Sequence, residues 1–157
     1  MSEAELARFV IREARLIDEK RFDEWYELFT EDAYYWVPLA PGQTDPLAHN
    51  SLAYDDKLLL KLRIERLRQP TAYSQKPQSR CLHVMQTPEM ETSDPARREF
   101  LMRTPFLYTE TRGDDSQRYA ATAWHTLVQS GQGLKIKLKR VDILNADSAL
   151  PSIQLFL

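Results

Sequence analysis

Cysteine, glycine and histidine are scarce in this chain of 157 residues, which contains one Cys, four Gly and three His. A single thiol excludes an internal disulfide, and it cannot supply the thiolates of a structural zinc site or an iron–sulfur cluster. Four glycines are too few for the Gly-rich loops that bind nucleotide phosphates, and the Gly-x-Ser-x-Gly motif of a nucleophile elbow is missing. The sequence argues against nucleotide chemistry, and we interpret Cys81 as a small buried hydrophobic residue.

The chain also lacks a strong net charge and a long apolar segment. Its 21 Lys and Arg residues nearly balance 23 Asp and Glu residues, which leaves a formal charge of -2. No global field therefore attracts nucleic acid or an anionic membrane. No apolar run reaches the length of a membrane span, and the opening "MSEAELARFV" has two Glu where a signal peptide has Lys and an apolar block. We expect a cytoplasmic protein that binds neither nucleic acid nor a membrane.

The first part of the chain has the apolar periodicity of helices. Apolar residues recur at helical spacing between Leu6 and Ile17, which predicts an amphipathic helix from about residue 3 to residue 20. Four aromatic residues in "FDEWYELF" have the same spacing and predict a second, short helix. The aromatic run "AYYWVP" that follows has the composition of a strand.

A third helix is predicted after a polar loop. Ser51 is its candidate N-cap, and the helix should end near Arg68 because Pro70 disfavours a helical conformation for the residue before it. Leu58 and Leu62 lie opposite the main apolar stripe of this helix, so we expect the helix to be covered on both sides. A proline-rich linker, "QPTAYSQKPQSR", separates the helix from the second half of the chain.

The second half has the period of strands. Strands are predicted in the segments "CLHVMQTPEME", "REFLMRTPFLYTE", "RYAATAWHTLVQ" and "LKIKLKRVDIL". In the last segment the alternation slips at Arg140, which predicts a β-bulge, and Pro105 predicts either a bulge or a sheet edge. Helices followed by a strand meander favour an α+β fold, with one domain over residues 1–157 and the helices gathered on one face of a curved antiparallel sheet.

Candidate catalytic residues are few. His49 is in a predicted loop, and His83 and His125 are on predicted strands, without the spacing of metal ligands. A curled sheet capped by helices can enclose an apolar pocket in which a lone Asp or His acts as a general base. Asp32, His83 and His125 are the candidates for that role, and for each of them a structural role is the competing interpretation.

A basic stretch and the apolar end of the chain are candidate contact surfaces. The arginines of the stretch are Arg63, Arg66, Arg68 and Arg80. Their simplest interpretation is a solvated helix face with acidic partners, and nucleic acid is disfavoured. Arg63 lies near the apolar stripe, so we expect its guanidinium to reach a partly buried acceptor, in this chain or across a subunit interface. The terminal segment "SIQLFL" should dock on its own sheet or on a neighbouring chain.

Four blocks of sequence occur together in an order that is typical of one family. They are "FDEWYELFTEDAYYWVP", "RIERL", "QKPQSRCLH" and "LKRVDILNADSALPSIQLFL". With these blocks the chain resembles, over nearly its whole length, the small (beta) subunit of aromatic-ring-hydroxylating dioxygenases. The most specific positions are Trp25, Phe29, Tyr35, Pro38, Arg63, Ile64, Arg66, Pro77, Ser79, Arg80, His83, Asp147, Leu150 and Pro151. The chain departs from the family near Gln86, where members often have an Asn, and this suggests a subfamily difference or a changed subunit contact.

The resemblance implies both a fold and a role. The fold is a ketosteroid isomerase-like (cystatin-like, SnoaL-like) cone, a curved sheet wrapped around helices. The role is non-catalytic: the Rieske 2Fe-2S cluster and the mononuclear Fe(II) belong to the large (alpha) subunit, and the small subunit forms a homotrimer within a mixed hexamer. No catalytic, cofactor-binding or metal-binding residue is then expected in this chain. Its single Cys agrees with this, because a Rieske centre needs two Cys and two His.

One alternative of a different class stays open at this point. It is a stand-alone cone enzyme, an isomerase, dehydratase or cyclase that uses Asp32 or a histidine as its general base. The two hypotheses differ in what they place inside the cone. The enzyme needs a pocket with an accessible base, whereas the subunit needs only a packed interior and exposed contact surfaces.

Overall fold

The computed structural model describes residues 1–69 and 77–157. The elements in these ranges are α1 (Glu3–Asp18), α2 (Phe22–Tyr26), β1 (Phe29–Pro38), β2 (Ser51–Asp56), α3 (Lys57–Arg68), β3 (Ser79–Met85), β4 (Glu89–Asp94), β5 (Glu99–Arg112), β6 (Asp115–Ser130) and β7 (Gly133–Ile143). The predicted proline-rich linker falls mostly on residues 70–76, outside the described residues. Among the described helices, none is long and apolar enough to cross a membrane.

The first two helices follow from capping and apolar spacing. Before α1, the Ser2 hydroxyl accepts the Glu5 N–H at 3.3 Å while the Glu5 carboxylate accepts the Ser2 N–H at 2.7 Å, which is a capping box. The helix ends at Asp18, two residues before the predicted end, and Lys20 has a left-handed φ of 56°. Helix α2 has only five residues because Phe29 already belongs to β1.

The third helix begins after Asp56, so the predicted start after Ser51 is wrong. The residues predicted as its first turn form β2, which pairs antiparallel with β1. The Ser51 hydroxyl accepts the indole N–H of Trp36 at 2.9 Å, and the Asp56 carboxylate caps the helix by accepting the Leu59 N–H at 2.9 Å. Both side chains are good N-caps, and only the pairing with β1 decides between them. The predicted end at Arg68 is confirmed.

The strands form one curved sheet with the order β2-β1-β7-β6-β5-β3, in which β4 also pairs with β5. Neighbouring strands are antiparallel except for β1 and β7, which run parallel. The predicted α+β fold with a curved sheet is confirmed, and the sheet differs from the predicted antiparallel arrangement only in the parallel pair β1 and β7, which makes it mixed. Strands β5, β6 and β7 follow one another through tight turns, which specify antiparallel pairing. No turn joins β1 to β7, where Tyr35 pairs with Lys139, so the sequence contains no local signal for it.

The predicted bulge in β7 is present, but it lies at Lys137 and not at Arg140. The pairing of β7 with β6 shifts between Ile136 and Leu138, which makes Lys137 the extra residue. Because the slip comes earlier than predicted, Lys139 lies on the inner face of the sheet and is only 2% exposed. Apolar alternation could not show this, since a lysine at a buried position needs a charged partner that the local sequence does not contain.

On one side, β5 pairs first with β4 and then with β3, and Pro105 lies between these two parts of the strand. Strand β3 pairs with β5 as far as Phe106, and β4 begins its pairing at Arg103. The carbonyl of Pro105 accepts the N–H of Gln86 at 3.0 Å, so the missing N–H of the proline faces this gap in the ladder. The register between β5 and β6 is unbroken here. The predicted bulge is therefore wrong, and β5 is an interior strand of the sheet, so Pro105 lies at an interruption between β3 and β4 and not at a sheet edge.

The core lies between the helices and the concave face of the sheet. Its most deeply buried members, each at most 3% exposed, include Leu6, Val10, Ile17, Trp25, Phe29, Tyr35, Leu60, Ile64, Met102, Tyr108, Leu127, Ile136, Val141 and Phe156. On the other side of α3, Leu58 and Leu62 are 64% and 50% exposed. The expectation that α3 is covered on both sides is thus wrong within the chain itself.

Candidate functional site

A buried ion network lies under α1, in the interior of the cone. Glu13 projects from α1 toward the sheet, where its carboxylate accepts the Lys139 ammonium of β7 at 2.6 Å. The same carboxylate accepts the Trp25 indole N–H at 2.7 Å and lies 3.3 Å from Nε2 of His125 on β6. All four side chains are at most 2% exposed. A buried charge pair with this many hydrogen bonds fixes the position of the helix on the sheet.

The electrostatics of this network do not suit proton transfer. Burial by itself would raise the pKa of Glu13, but the Lys139 charge and the hydrogen bonds from His125 and Lys139 outweigh it and hold that pKa far below its usual range. Burial lowers the pKa of His125, although Glu13 opposes this effect. The carboxylate therefore stays charged and the imidazole stays neutral, so neither group is matched to acid–base catalysis near neutral pH.

A second polar cluster joins the end of α1 to β3. Nδ1 of His83 lies 2.6 Å from the Asp18 carboxylate, which also accepts the backbone N–H of His83 at 3.1 Å. The His83 ring packs against Phe106 and Tyr108, with centroids 5.4 Å and 5.0 Å away. The His83 side chain is 3% exposed and that of Asp18 is 15% exposed. This pair anchors the helix end to the sheet.

Asp18, Cys81 and His83 are also the one group of potential metal ligands among the described residues, with ligand atoms within 4.8 Å of one another. Burial and the nearby Asp18 raise the pKa of the Cys81 thiol to about 12, so the thiol is protonated in the metal-free chain. Its Sγ lies 3.6 Å from the Asp18 carboxylate. The absence of a metal from this chain stays a prediction, and this trio is the place to test it.

The predicted catalytic candidates divide into two groups. His83 and His125 lie in the interior, in the clusters described above. Asp32 and His49 are exposed, and the Asp32 carboxylate accepts only a local hydrogen bond from the Thr30 hydroxyl at 2.8 Å. An exposed carboxylate outside any enclosed pocket is a poor candidate for the general base of a cone enzyme.

Sequence analysis missed Glu13, Asp18 and Lys139. A signal for Glu13 is present, because it lies three residues after Val10 and four before Ile17, on the apolar stripe of α1. A charged residue at a core position of a helix is informative, since such a residue is almost never buried unless it is paired. Asp18 and Lys139 lack a comparable signal, because their partners are distant in sequence.

Arg63 confirms the expectation of a partly buried acceptor. Its guanidinium lies 2.5 Å from the Asp55 carboxylate, whose side chain is 14% exposed. Arg68 pairs on the surface with Asp23 at 2.9 Å, as expected for a solvated helix face. Arg66 and Arg80 are exposed. The basic stretch is therefore a mixture of internal support and solvated surface.

Two exposed apolar surfaces stand out on this otherwise well-packed chain. Because Cys81 and His83 point inward to α1, the alternate residues of β3 point outward. We call the first surface the convex row: Leu82, Val84, Leu107 and Leu144, which are 56%, 59%, 60% and 80% exposed. We call the second the α3 patch: Leu58, Leu59 and Leu62, which are 64%, 44% and 50% exposed.

The convex row is continuous across the sheet. Val84 pairs with Leu107, Leu107 pairs with Ala120, and the carbonyl of Ala120 accepts the N–H of Leu144. Beside the row opens a cleft of about 570 Å³, whose lining includes Pro38 and other apolar residues. Asp142 is the only titratable residue of that lining, and it is paired with Arg140 at 2.8 Å. An exposed apolar row that continues into a cleft is typical of surfaces that contact other molecules.

The curved sheet wrapped around the N-terminal helices defines a class of protein by its fold: an α+β protein with the NTF2-like cone. Comparison with known sequences identifies the family. Residues 12–148 match the family described as ring hydroxylating beta subunit, and the chain belongs to that family. The resemblance drawn from the four sequence blocks is thereby confirmed.

Individual relatives agree with this assignment. The chain is 30% identical to the 2-halobenzoate 1,2-dioxygenase small subunit of Burkholderia cepacia, over 90% of this chain and 87% of the relative. It is 28% identical to the small oxygenase component of the p-cumate 2,3-dioxygenase system of Pseudomonas putida, over 89% and 78% of the two chains. The solved beta subunit of benzoate 1,2-dioxygenase from Burkholderia mallei superposes with a TM-score of 0.78 and 25% identity, over 98% and 97%.

More distant structures share the fold alone. A scytalone dehydratase-like protein of Novosphingobium aromaticivorans superposes with a TM-score of 0.64 and 15% identity, over 94% of this chain and 87% of the other. This agrees with the predicted cone. Nothing in the comparisons or in the site favours the stand-alone isomerase, dehydratase or cyclase for this chain.

The Asp18–His83 pair gives a first test of the structural interpretation. We expect Asp18→Ala to lower the free energy of unfolding by about 1.5–3 kcal/mol, because it removes a partly buried carboxylate that is bound to the backbone N–H and to Nδ1 of His83. We expect His83→Ala to act on folding in the same direction, with the two effects less than additive in the double variant. Urea denaturation measures both.

Asp32→Ala is the matched control, since it removes an exposed carboxylate with one local hydrogen bond. We expect it to change stability by less than about 0.5 kcal/mol. Equal effects of Asp18→Ala and Asp32→Ala would contradict an anchoring role for the Asp18–His83 pair.

Proposed function

We propose that this chain is the structural, non-catalytic beta subunit of a multicomponent dioxygenase that dihydroxylates an aromatic compound in its catabolism. In this proposal the large (alpha) subunit carries a Rieske 2Fe-2S cluster and a mononuclear Fe(II). The complex uses dioxygen and reducing equivalents from NAD(P)H to form a cis-dihydrodiol. The beta chain, a single domain, forms a homotrimer within a mixed hexamer in the cytoplasm. Its relatives are subunits of dioxygenases named for 2-halobenzoate, p-cumate and benzoate, which supports an aromatic substrate.

The residues of this chain do not fit the iron centres themselves. A Rieske cluster takes two thiolates and two imidazoles, and the chain has one Cys. A mononuclear Fe(II) of the oxygenase type takes two His and one carboxylate with open positions. Of the three His residues, two are engaged with the carboxylates of Glu13 and Asp18. The proposal therefore assigns both centres to the partner subunit.

The observation that carries the proposal is the convex row with its adjoining cleft. Monomeric proteins rarely expose a continuous apolar surface, and such surfaces mark contacts with other proteins. A row of large aliphatic side chains beside an apolar cleft is suited to the core of an interface, where anchor side chains of a partner fill a pocket. The α3 patch supplies a second, separate surface. A chain in a mixed complex needs at least two contact surfaces, one for other copies of itself and one for a different subunit.

Charge substitutions in these surfaces test the proposal. We expect wild-type chain to form a trimer alone and a mixed hexamer with the large subunit, through contacts of about 1,200–2,000 Å² each. Leu107→Glu in the convex row and Leu62→Glu in the α3 patch should each weaken at least one contact by about tenfold or more, because a buried carboxylate would lack a partner. Light scattering and co-purification with the large subunit measure the two assemblies.

Ile11→Glu is the matched control. Ile11 is 48% exposed and lies alone on the charged face of α1, near Arg8 and Arg12. The variant introduces the same charge without touching either surface, so it should assemble as the wild type does. A wild-type chain that stays monomeric and does not bind the large subunit would contradict the proposal, as would normal assembly of both charged variants.

A further inference from the structure

The last three residues of the chain are buried although they belong to no helix or strand. Leu155, Phe156 and Leu157 are 1%, 0% and 1% exposed. A chain end normally frays unless specific contacts hold it. We propose that these three residues, here called the plug, occupy a latent ligand pocket of the cone, and that the vacated pocket binds a one-ring aromatic compound. This inference does not rest on the proposed function.

The side-chain contacts of Phe156 are those of a bound aromatic ligand. Its ring centroid lies 4.4 Å from that of Trp25 and 5.8 Å from those of Phe22 and Tyr35. The Arg63 guanidinium lies over the same ring, 4.7 Å from its centroid. Three aromatic walls and a cation over one face form a site that selects an aromatic ring by shape and by its electrostatic field.

The backbone of the plug and of the residue before it is bound by side chains that point inward from the sheet. The Glu110 carboxylate accepts the N–H groups of Gln154 at 3.0 Å and Leu155 at 2.9 Å. The Tyr35 hydroxyl accepts the N–H of Leu157 at 3.0 Å. Glu110 is only 4% exposed, and a buried carboxylate without donors is unfavourable. Polar groups placed at the rim of an apolar pocket are the general arrangement of small-ligand sites.

The plug borders a cleft that opens toward the surface between Leu52 and Ser152. This cleft has a volume of about 240 Å³ and is lined by residues that include Leu155, Leu157, Tyr35 and Arg63. The plug is therefore continuous with a partly open space rather than packed solidly on every side. Removal of the Phe156 ring should join its volume to this space. An apolar cavity of benzene size in a protein interior binds benzene-like compounds.

The full-length variant Phe156→Ala tests the proposal, with toluene as the probe. We expect toluene to bind this variant at least tenfold more tightly than wild type, and to raise its Tm in a concentration-dependent way. Phe9→Ala is the matched control, because Phe9 is a partly buried residue at the edge of the core and its loss opens no enclosed cavity. We expect toluene to leave the Tm of wild type and Phe9→Ala unchanged. A folded Phe156→Ala that ignores toluene would overturn the proposal.

A second experiment tests the proposal if the Phe156→Ala variant does not fold. A chain that ends at Pro151 is mixed with the peptide Ser-Ile-Gln-Leu-Phe-Leu, which corresponds to residues 152–157, and with the same peptide carrying Ala in place of Phe as its control. We expect the first peptide to bind in trans and to restore the cooperative unfolding transition, and the control peptide to bind at least tenfold more weakly. Equal effects of the two peptides, or no effect of either, would show that the segment is ordinary core and not a separable occupant.

Discussion

Replacement of Glu13 by Gln is expected to lower the free energy of unfolding by about 3–5 kcal/mol, because it leaves the buried ammonium of Lys139 without a counter-charge. The change is nearly isosteric, and the new amide oxygen still accepts the Trp25 indole N–H. The charge is removed, and the amide NH2 group replaces the oxygen that faced His125. Lys139 is only 2% exposed, so water does not replace the lost counter-charge in the folded structure. Chemical denaturation with urea measures the loss.

Two further variants make this test specific. Glu13→Gln combined with Lys139→Met should recover part of the loss, because the unpaired charge is removed together with its partner. Glu19→Gln changes an exposed carboxylate that pairs only with surface arginines, and it should change stability by less than about 0.5 kcal/mol. A loss below about 1 kcal/mol for Glu13→Gln would mean that water or movement of α1 relieves the buried lysine.

The same network predicts sensitivity to acid. The pKa of Glu13 in the folded protein lies below its ordinary value of 4.5, so the stability that it contributes is complete above about pH 4.5 and is lost as the pH falls further. The pKa of His125 is also lowered, from 6.5, so protonation of this buried imidazole destabilises the fold as the pH falls below about 6.5. Unfolding free energies of wild type at about pH 7, 5.5 and 4 should decrease in that order. Glu13→Gln should show a shallower decrease below about pH 4.5.

Ile64→Ala is expected to lower the free energy of unfolding by about 2–5 kcal/mol, because Ile64 belongs to the central core and is 3% exposed. The loss combines the transfer free energy of the deleted methyl groups with the cavity that they leave. Urea denaturation of the isolated chain and of the assembled complex measures it. A loss below about 0.5 kcal/mol would show that the packed face of α3 is wrongly assigned.

Leu62→Ala on the same helix is the matched control for Ile64→Ala. Leu62 is 50% exposed and belongs to the α3 patch, so its truncation should leave the stability of the isolated chain within about 0.5 kcal/mol. If the patch is an interface, Leu62→Ala should weaken assembly while Ile64→Ala acts first on folding. The pair of variants thus separates a core position from a contact position two residues away.

Local patterns in the sequence predicted much of the fold. The spacing of apolar residues predicted α1, the proline after Gln69 predicted the end of α3, and alternation with turn residues predicted β5, β6 and β7. These features depend on interactions between residues close in sequence, which is why they were predictable. The candidate site was less predictable. His83 and His125 were named, but their partners Asp18 and Glu13 were not.

By itself, the sequence determined the family, through four blocks in order, and excluded a Rieske centre in this chain, through its single Cys. Only the tertiary structure decided where the bulge of β7 lies, which buries Lys139 against Glu13, 126 positions away. It also decided that β1 runs parallel to β7, and that the chain end docks on Tyr35 of its own sheet, 122 positions away. The physical reason is the same for each. The buried charge of Lys139, the pairing of β1 with β7 and the docking of the apolar terminal segment all depend on partners that are distant in sequence, and no local pattern specifies those partners.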